Sequence, residues 1–119
     1  MISRIKLVNN RSLAKNASFV CSTILNLGRC GPDSNFWVDL SATGAGKVNV
    51  DFQVGNSAGD TFYTPSTART ICSNHLGGAV ASRDRYQAYV FGTELIKIKV
   101  KEQNASHMTI TDLSFLIAR

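Results

Sequence analysis

Hydrophobic and polar residues alternate with a period of two along most of this chain, the pattern of strands buried on one face. In Arg4-Ile-Lys-Leu7, Ile5 and Leu7 point one way and Arg4 and Lys6 the other, and Asn9-Asn-Arg-Ser12 then reads as a turn. From Phe19 to Leu27, the residues Phe19, Cys21, Thr23, Leu25 and Leu27 share a face and predict one long strand. It is ended by the turn signal of Gly28 to Asn35, with Gly31-Pro-Asp33 at its centre. The cleanest alternation follows. Phe36, Val38 and Leu40 face inward with Trp37 and Asp39 outward, then Val48, Val50, Phe52 and Val54 alternate with Asn49, Asp51 and Gln53. Thr43-Gly-Ala-Gly-Lys47 between these runs supplies residues that accept positive φ, and so predicts a β-hairpin. Gly55 to Asp60 predicts a second, returning through Thr61-Phe-Tyr-Thr-Pro65.

The pattern loosens from Ser66 to Arg85. Ala68-Arg-Thr-Ile-Cys72 predicts a strand, Leu76-Gly-Gly-Ala-Val80 a loop or a close backbone approach, and a single helical turn fits this region. Alternation returns in Tyr86 to Phe91 and in Glu94 to Lys101, where Ile96, Ile98 and Val100 face inward. Lys97, Lys99 and Lys101 form a ladder on the other face, about 7 Å apart by strand geometry. After the turn at Gln103-Asn-Ala-Ser106, Met108 and Ile110 share one parity and Leu113, Phe115 and Ile117 the other, so a β-bulge is predicted at Thr111-Asp112. About eight short antiparallel strands without a substantial helix or repeat predict an all-β fold, a β-sandwich or jelly roll. The 119 residues form a single domain over 1–119.

Composition narrows the class. With 44% hydrophobic and 18% charged residues the chain is neither disordered nor a coiled coil. No apolar run reaches the ~18–20 residues of a bilayer span, and Met1-Ile-Ser-Arg-Ile-Lys-Leu-Val8 sets bases inside its apolar stretch, unlike a signal peptide. A soluble, cytosolically made product with no membrane partner is therefore expected. Cys21, Cys30 and Cys72 are widely spaced and offer no zinc pattern with His75 or His107. They read as small, partly buried thiols, with a Cys21–Cys30 disulfide across a turn left open.

No catalytic set emerges. Asp39 and Asp51 fall on the same polar face of adjacent predicted strands, where they read as solvated carboxylates paired with the lysine ladder. Cys72 and His75 lack any group that would orient them as nucleophile and base. The expectation is a non-enzymatic protein without cofactor or metal. Thirteen basic residues against eight acids give a net charge of +5. Lys97, Lys99 and Lys101, with Arg83 and Arg85 in the preceding loop, form a candidate basic face for docking an acidic protein surface. Tyr86, Tyr89 and Trp37 are candidate stacking residues, but no aromatic residue interleaves the ladder, and nucleic acid is not the favoured partner. The alternative face is Trp37, Asp39, Asn49, Asp51 and Gln53, an aromatic platform flanked by polar groups, as in a carbohydrate-binding, lectin-like β-sandwich module.

Three stretches carry a resemblance: Phe36-Trp-Val-Asp-Leu-Ser-Ala-Thr-Gly44, Val48-Asn-Val-Asp-Phe-Gln-Val54 and Gly59-Asp-Thr-Phe-Tyr-Thr-Pro65. So does the ending, Leu95-Ile-Lys-Ile-Lys-Val-Lys-Glu-Gln-Asn-Ala-Ser106 with Met108-Thr-Ile-Thr-Asp-Leu-Ser-Phe-Leu-Ile117. Together they resemble small β-sandwich structural proteins of tailed bacteriophages and prophages, of the capsid decoration or head-fibre type. The first thirty-five residues lie outside it. The resemblance implies a virion structural protein, most specifically a capsid decoration (cement) protein on the outer surface of a phage head. It also implies a symmetric homo-oligomer, such as a trimer, whose partner is the major capsid protein or another virion protein. Its location would be the virion, after synthesis in the host cytoplasm.

Overall fold

A computed structural model describes residues 2–31, 33–59, 61–65, 70–90 and 95–119. Among the described residues nine strands are assigned: β1 (Ile2–Leu13), β2 (Ser18–Val20), β3 (Leu25–Asn26), β4 (Asn35–Gly44), β5 (Lys47–Gly55), β6 (Cys72–Leu76), β7 (Ser82–Ala88), β8 (Leu95–Glu102) and β9 (Met108–Ala118). They form two antiparallel sheets. The first has the order β1-β9-β4-β7; the second has the order β2-β8-β5-β6, with β3 also pairing β8. β2 and β3 meet the two halves of β8 in turn, so they amount to one interrupted strand. With that strand counted once, eight strands make two four-stranded sheets, and only β5 and β6 are chain neighbours within a sheet. Every other connection crosses the sandwich. This is the strand order of a jelly roll.

The core lies between the sheets. Val38, Leu40 and Ala42 of β4 and Ile110, Leu113 and Phe115 of β9 are fully buried, and opposite them so are Val48 and Val50 of β5 and Ile96, Ile98 and Val100 of β8. Inward faces alternate as the sequence predicts because each strand has one neighbouring sheet and one outer side. The bulge expected at Thr111 is present: Ser41 pairs with Asp112 but Ala42 with Ile110, leaving Thr111 as the extra residue. Its hydroxyl donates to the Ser41 carbonyl at 2.9 Å. A second bulge, at Leu7, shifts β1 between Lys6 and Val8.

Several expectations change. Thr43 to Lys47 does not close a hairpin: β4 and β5 belong to different sheets, because both sides of β4 are taken by β9 and β7, and both sides of β5 by β8 and β6. The glycines serve a crossing. Gly44 has φ +106°, and a Cβ there would meet the His107 carbonyl oxygen at 2.8 Å. The turn expected at Asn9–Ser12 is instead continuous strand, with Asn10 at φ 54° absorbing the irregularity. The long strand expected from Phe19 to Leu27 is broken into β2, β3 and a 3-10 turn at Leu27–Arg29. Of the return expected at Gly55 to Asp60, Asp60 lies outside the described residues, and the flanking pairing is a single antiparallel bridge between Val54 and Tyr63. Of the strand expected at Ala68–Cys72, Ala68 and Arg69 lie outside the described residues, as do Phe91 and Glu94. The strand that forms there is β6, and the close approach expected after Leu76 is real: the Gly77 N–H donates to Gly46 O and the Gly44 N–H to Gly78 O.

Candidate docking face

The lysine ladder occupies the outer face of the second sheet. Ile96, Ile98 and Val100 are turned into the core, so Lys97, Lys99 and Lys101 point away from it, two half-exposed and the last exposed. Their neighbours across β5 are Gln53, Asp51 and Asn49, in that order. On the other side Val20 lies opposite Lys99 and Ser18 opposite Lys101. Lys47, at the start of β5, shares the parity of Asn49, Asp51 and Gln53 and adds a fourth ammonium that the sequence reading left out. The Lys97 ammonium sits 4.5 Å from the centre of the Phe62 ring, a cation–π contact. Phe62 packs onto Gly55, where a Cβ would come within 2.9 Å of the ring.

Arg83 and Arg85 do not join this face. They lie on β7 rather than in a loop, and they belong to the first sheet, on the opposite side of the sandwich. Both are paired there. Arg85 Nε donates to Asp39 Oδ1 at 2.6 Å, Arg4 Nη2 to Asp39 Oδ2 at 2.6 Å, and Arg83 Nη2 to Asp112 Oδ2 at 3.1 Å. The Arg85 hydrogen bond, outweighing burial and aided by Arg4, holds the Asp39 carboxyl below its ordinary pKa. The proposed sugar face is divided in the same way. Trp37 and Asp39 stand on the first sheet, and Asn49, Asp51 and Gln53 on the second. Asp39 and Asp51 therefore cannot converge. The reason is the same crossing that replaced the hairpin: parity tells which residues face outward, but not which of two outer faces they reach.

A second group, besides Lys47, escaped the sequence reading. Glu102 is fully buried at the end of β8, and its carboxylate accepts four backbone N–H groups. These are Asn16 at 3.0 Å, Lys47 at 3.0 Å, Asn104 at 2.6 Å and Ser106 at 3.1 Å. Burial by itself raises a carboxyl pKa, but the four donors outweigh it and hold Glu102 at about 2. Glu102 thus pins together the β1–β2, β4–β5 and β8–β9 connections beside the ladder. Its signal was present in the alternation, since Ile96, Ile98 and Val100 put position 102 on the inward parity.

The remaining candidates are structural. All three cysteines are free thiols, so Cys21 and Cys30 are not bridged. Burial pushes the thiols of Cys21 and Cys72 up to about 11, which makes both poor nucleophiles. His75 is buried, with Nε2 2.9 Å from the Ser82 carbonyl and Nδ1 2.6 Å from the Tyr86 hydroxyl. A carbonyl only accepts, so Nε2 donates to Ser82, while Nδ1 and the Tyr86 hydroxyl share the second hydrogen bond. Tyr86 is thereby turned into the sandwich and is no stacking platform. An open depression of ≈ 280 Å³ is lined by Ser12, Thr43, Gly44, His107, Met108 and Thr109. Among the described residues no group of three or more His, Cys, Asp or Glu is arranged to hold a metal ion, and no helix is long and apolar enough to cross a membrane.

No protein-family model and no curated protein matches the sequence. Solved structures match by fold. A chain of the structure of infectious bursal disease virus Gt strain superposes with a TM-score of 0.63 at 7% identity, over 100% of this chain and 33% of that one. A chain of the structure of infectious bursal disease virus Gx strain gives a TM-score of 0.60 at 8% identity, over 98% of this chain and 31% of that one. The chain thus spans about a third of the length of each chain it matches. At these identities the likeness is one of fold: an all-β sandwich of two antiparallel sheets, wound as a jelly roll.

Proposed function

We propose that this protein is a non-enzymatic structural component of a virion, and more specifically a decoration protein that binds the outer surface of a phage capsid as a homo-oligomer. The observation that carries the reading is the strand order β1-β9-β4-β7 over β2-β8-β5-β6, a jelly roll, an architecture that recurs in viral capsid domains. It is supported by the source of the matched chains, both of which belong to structures of a virus. Docking onto the major capsid protein, or another virion protein, would use the ladder of Lys97, Lys99 and Lys101 with Lys47. Arg83 and Arg85, bound to acids of their own sheet, would contribute little. The carbohydrate reading gains no support, because its five residues are parted between opposite faces.

The test is association with particles. Purified chain is added to phage heads and sedimented; saturable binding with copurification of the major capsid protein is expected. A chain that stays in the supernatant at every concentration, with all virion proteins, contradicts the proposal.

A further inference from the structure

We infer that the outer face of the second sheet seats an extended acidic segment of a partner protein, with its carboxylates at alternate positions along β8. This deepens the docking reading above and rests on it for the choice of face. Lys97, Lys99 and Lys101 repeat every second residue of a strand, roughly 6.8 Å apart. An extended peptide repeats its same-side groups at the same distance, so Glu or Asp at every second position meets successive lysines without strain. A block of consecutive acids does not, because half of its carboxylates point away.

The charge is available. None of Lys47, Lys99 and Lys101 forms an ion pair with a described residue, whereas Arg4, Arg83 and Arg85 of the first sheet are paired. Asp51, opposite Lys99, is the one acid on the ladder's β5 flank; Gln53 and Asn49 on either side of it are neutral hydrogen-bonding groups. The face is also poorly suited to nucleic acid. Single-stranded binding relies on exposed aromatic rings for base stacking, and along β2, β8 and β5 the outward positions hold none. Phe62, at the Lys97 end, is already covered by that ammonium. Glu102 adds rigidity: its four backbone hydrogen bonds fix the connections next to Lys47 and Lys101, which lowers the ordering cost on binding.

The test is fluorescence anisotropy on the whole chain with three labelled probes of equal charge. These are a peptide of alternating Glu and Thr, a peptide of the same composition with its Glu in one block, and a single-stranded oligonucleotide. The alternating peptide is expected to bind most tightly, with affinity falling as salt rises. Lys99→Gln with Lys101→Gln, a pair of changes to outward-facing side chains that leaves the core untouched, should weaken it at least tenfold. Asp51→Asn should strengthen it several-fold, and Arg83→Gln, on the opposite sheet, should leave it unchanged. Equal or tighter binding of the block peptide or the oligonucleotide, no binding of any probe, or an unaltered affinity in the double variant would each overturn the inference. Particle association that persists without peptide binding would sink this inference alone, and peptide binding without particle association would sink the virion reading alone.

Discussion

Arg85 of β7 reaches Asp39 of β4 at 2.6 Å, and Arg4 closes on the same carboxylate from β1 by crossing over β9. One acid therefore ties together the two edges of the first sheet. Asp39 is 5% exposed while both arginine side chains remain nearly half exposed, so water screens the pairs and their joint contribution is modest. Asp39→Asn should lower stability by roughly 1 kcal/mol, read as a shifted urea midpoint with an unchanged slope. An unchanged midpoint would show that the cluster is only a surface arrangement.

Glu102 carries more. Its carboxylate satisfies four backbone N–H groups from three connections, and truncation would leave them to find water in a closed space. Glu102→Ala should cost about 2–4 kcal/mol, since hydrogen bonds to a charged group contribute ~1.5–3 kcal/mol each and partial hydration recovers some of the loss. A cost no greater than that of an exposed glutamate would refute the pinning role.

Acid sensitivity follows from the same group. The folded-state pKa of Glu102 lies near 2, below its ordinary 4.5, so the stabilisation is complete above pH 4.5 and is lost as pH falls from 4.5 toward 2. Asp39, also lowered, acts in the same direction. The urea midpoint should therefore be flat near neutrality and fall steeply below pH 4.5. Glu102→Gln should start lower and show a shallower acid limb; a limb as steep as in the parent chain would assign the acid response to other carboxylates.

How much of this was readable beforehand depended on whether the signal was local. The Thr111 bulge was legible because Met108 and Ile110 sit on one parity and Leu113, Phe115 and Ile117 on the other, and burial enforces that switch. The ladder was legible for the same reason. The destination of β4 and β5 was not: their alternation suits a hairpin as well as a crossing, and the choice is made by pairing with β8 and β9, far along the chain. Arg83 and Arg85 were misplaced because β7 is an edge strand whose Ser82-Arg-Asp-Arg85 has no apolar alternation to announce it. That single ambiguity, which outer face a residue reaches, divided both sequence-derived sites. Glu102 was within reach, since the inward parity of β8 runs on to it.

The crossing at the loop end predicts a strict need for glycine. A Cβ on Gly77 would come 2.5 Å from the Gly44 carbonyl oxygen, backbone against backbone, and neither can give way without breaking the Gly77–Gly46 and Gly44–Gly78 hydrogen bonds. Gly77→Ala should destabilise by about 1–3 kcal/mol, the usual range for overpacking. Gly59→Ala, with nothing within 4 Å of the added carbon, is the matched control. Equal stability of the two variants would contradict the close approach.

The thiols should react in a fixed order. Cys21 and Cys72 are buried with raised pKa values, while Cys30 is half-buried. Brief alkylation of the native chain at pH 7.5, followed by mass spectrometry, should label Cys30 well ahead of the other two. Unfolding in denaturant without reductant should expose all three. A Cys21–Cys30 bridge detected under those conditions would contradict the free-thiol arrangement.

The central claim, that this jelly roll is part of a virus shell, is tested most directly by counting it. Quantitative mass spectrometry of particles purified from the source of the chain should find it at a constant ratio to the major capsid protein, in a number compatible with the symmetry of the shell. Particles that contain none of it, or amounts that vary between preparations and wash away, would contradict the claim.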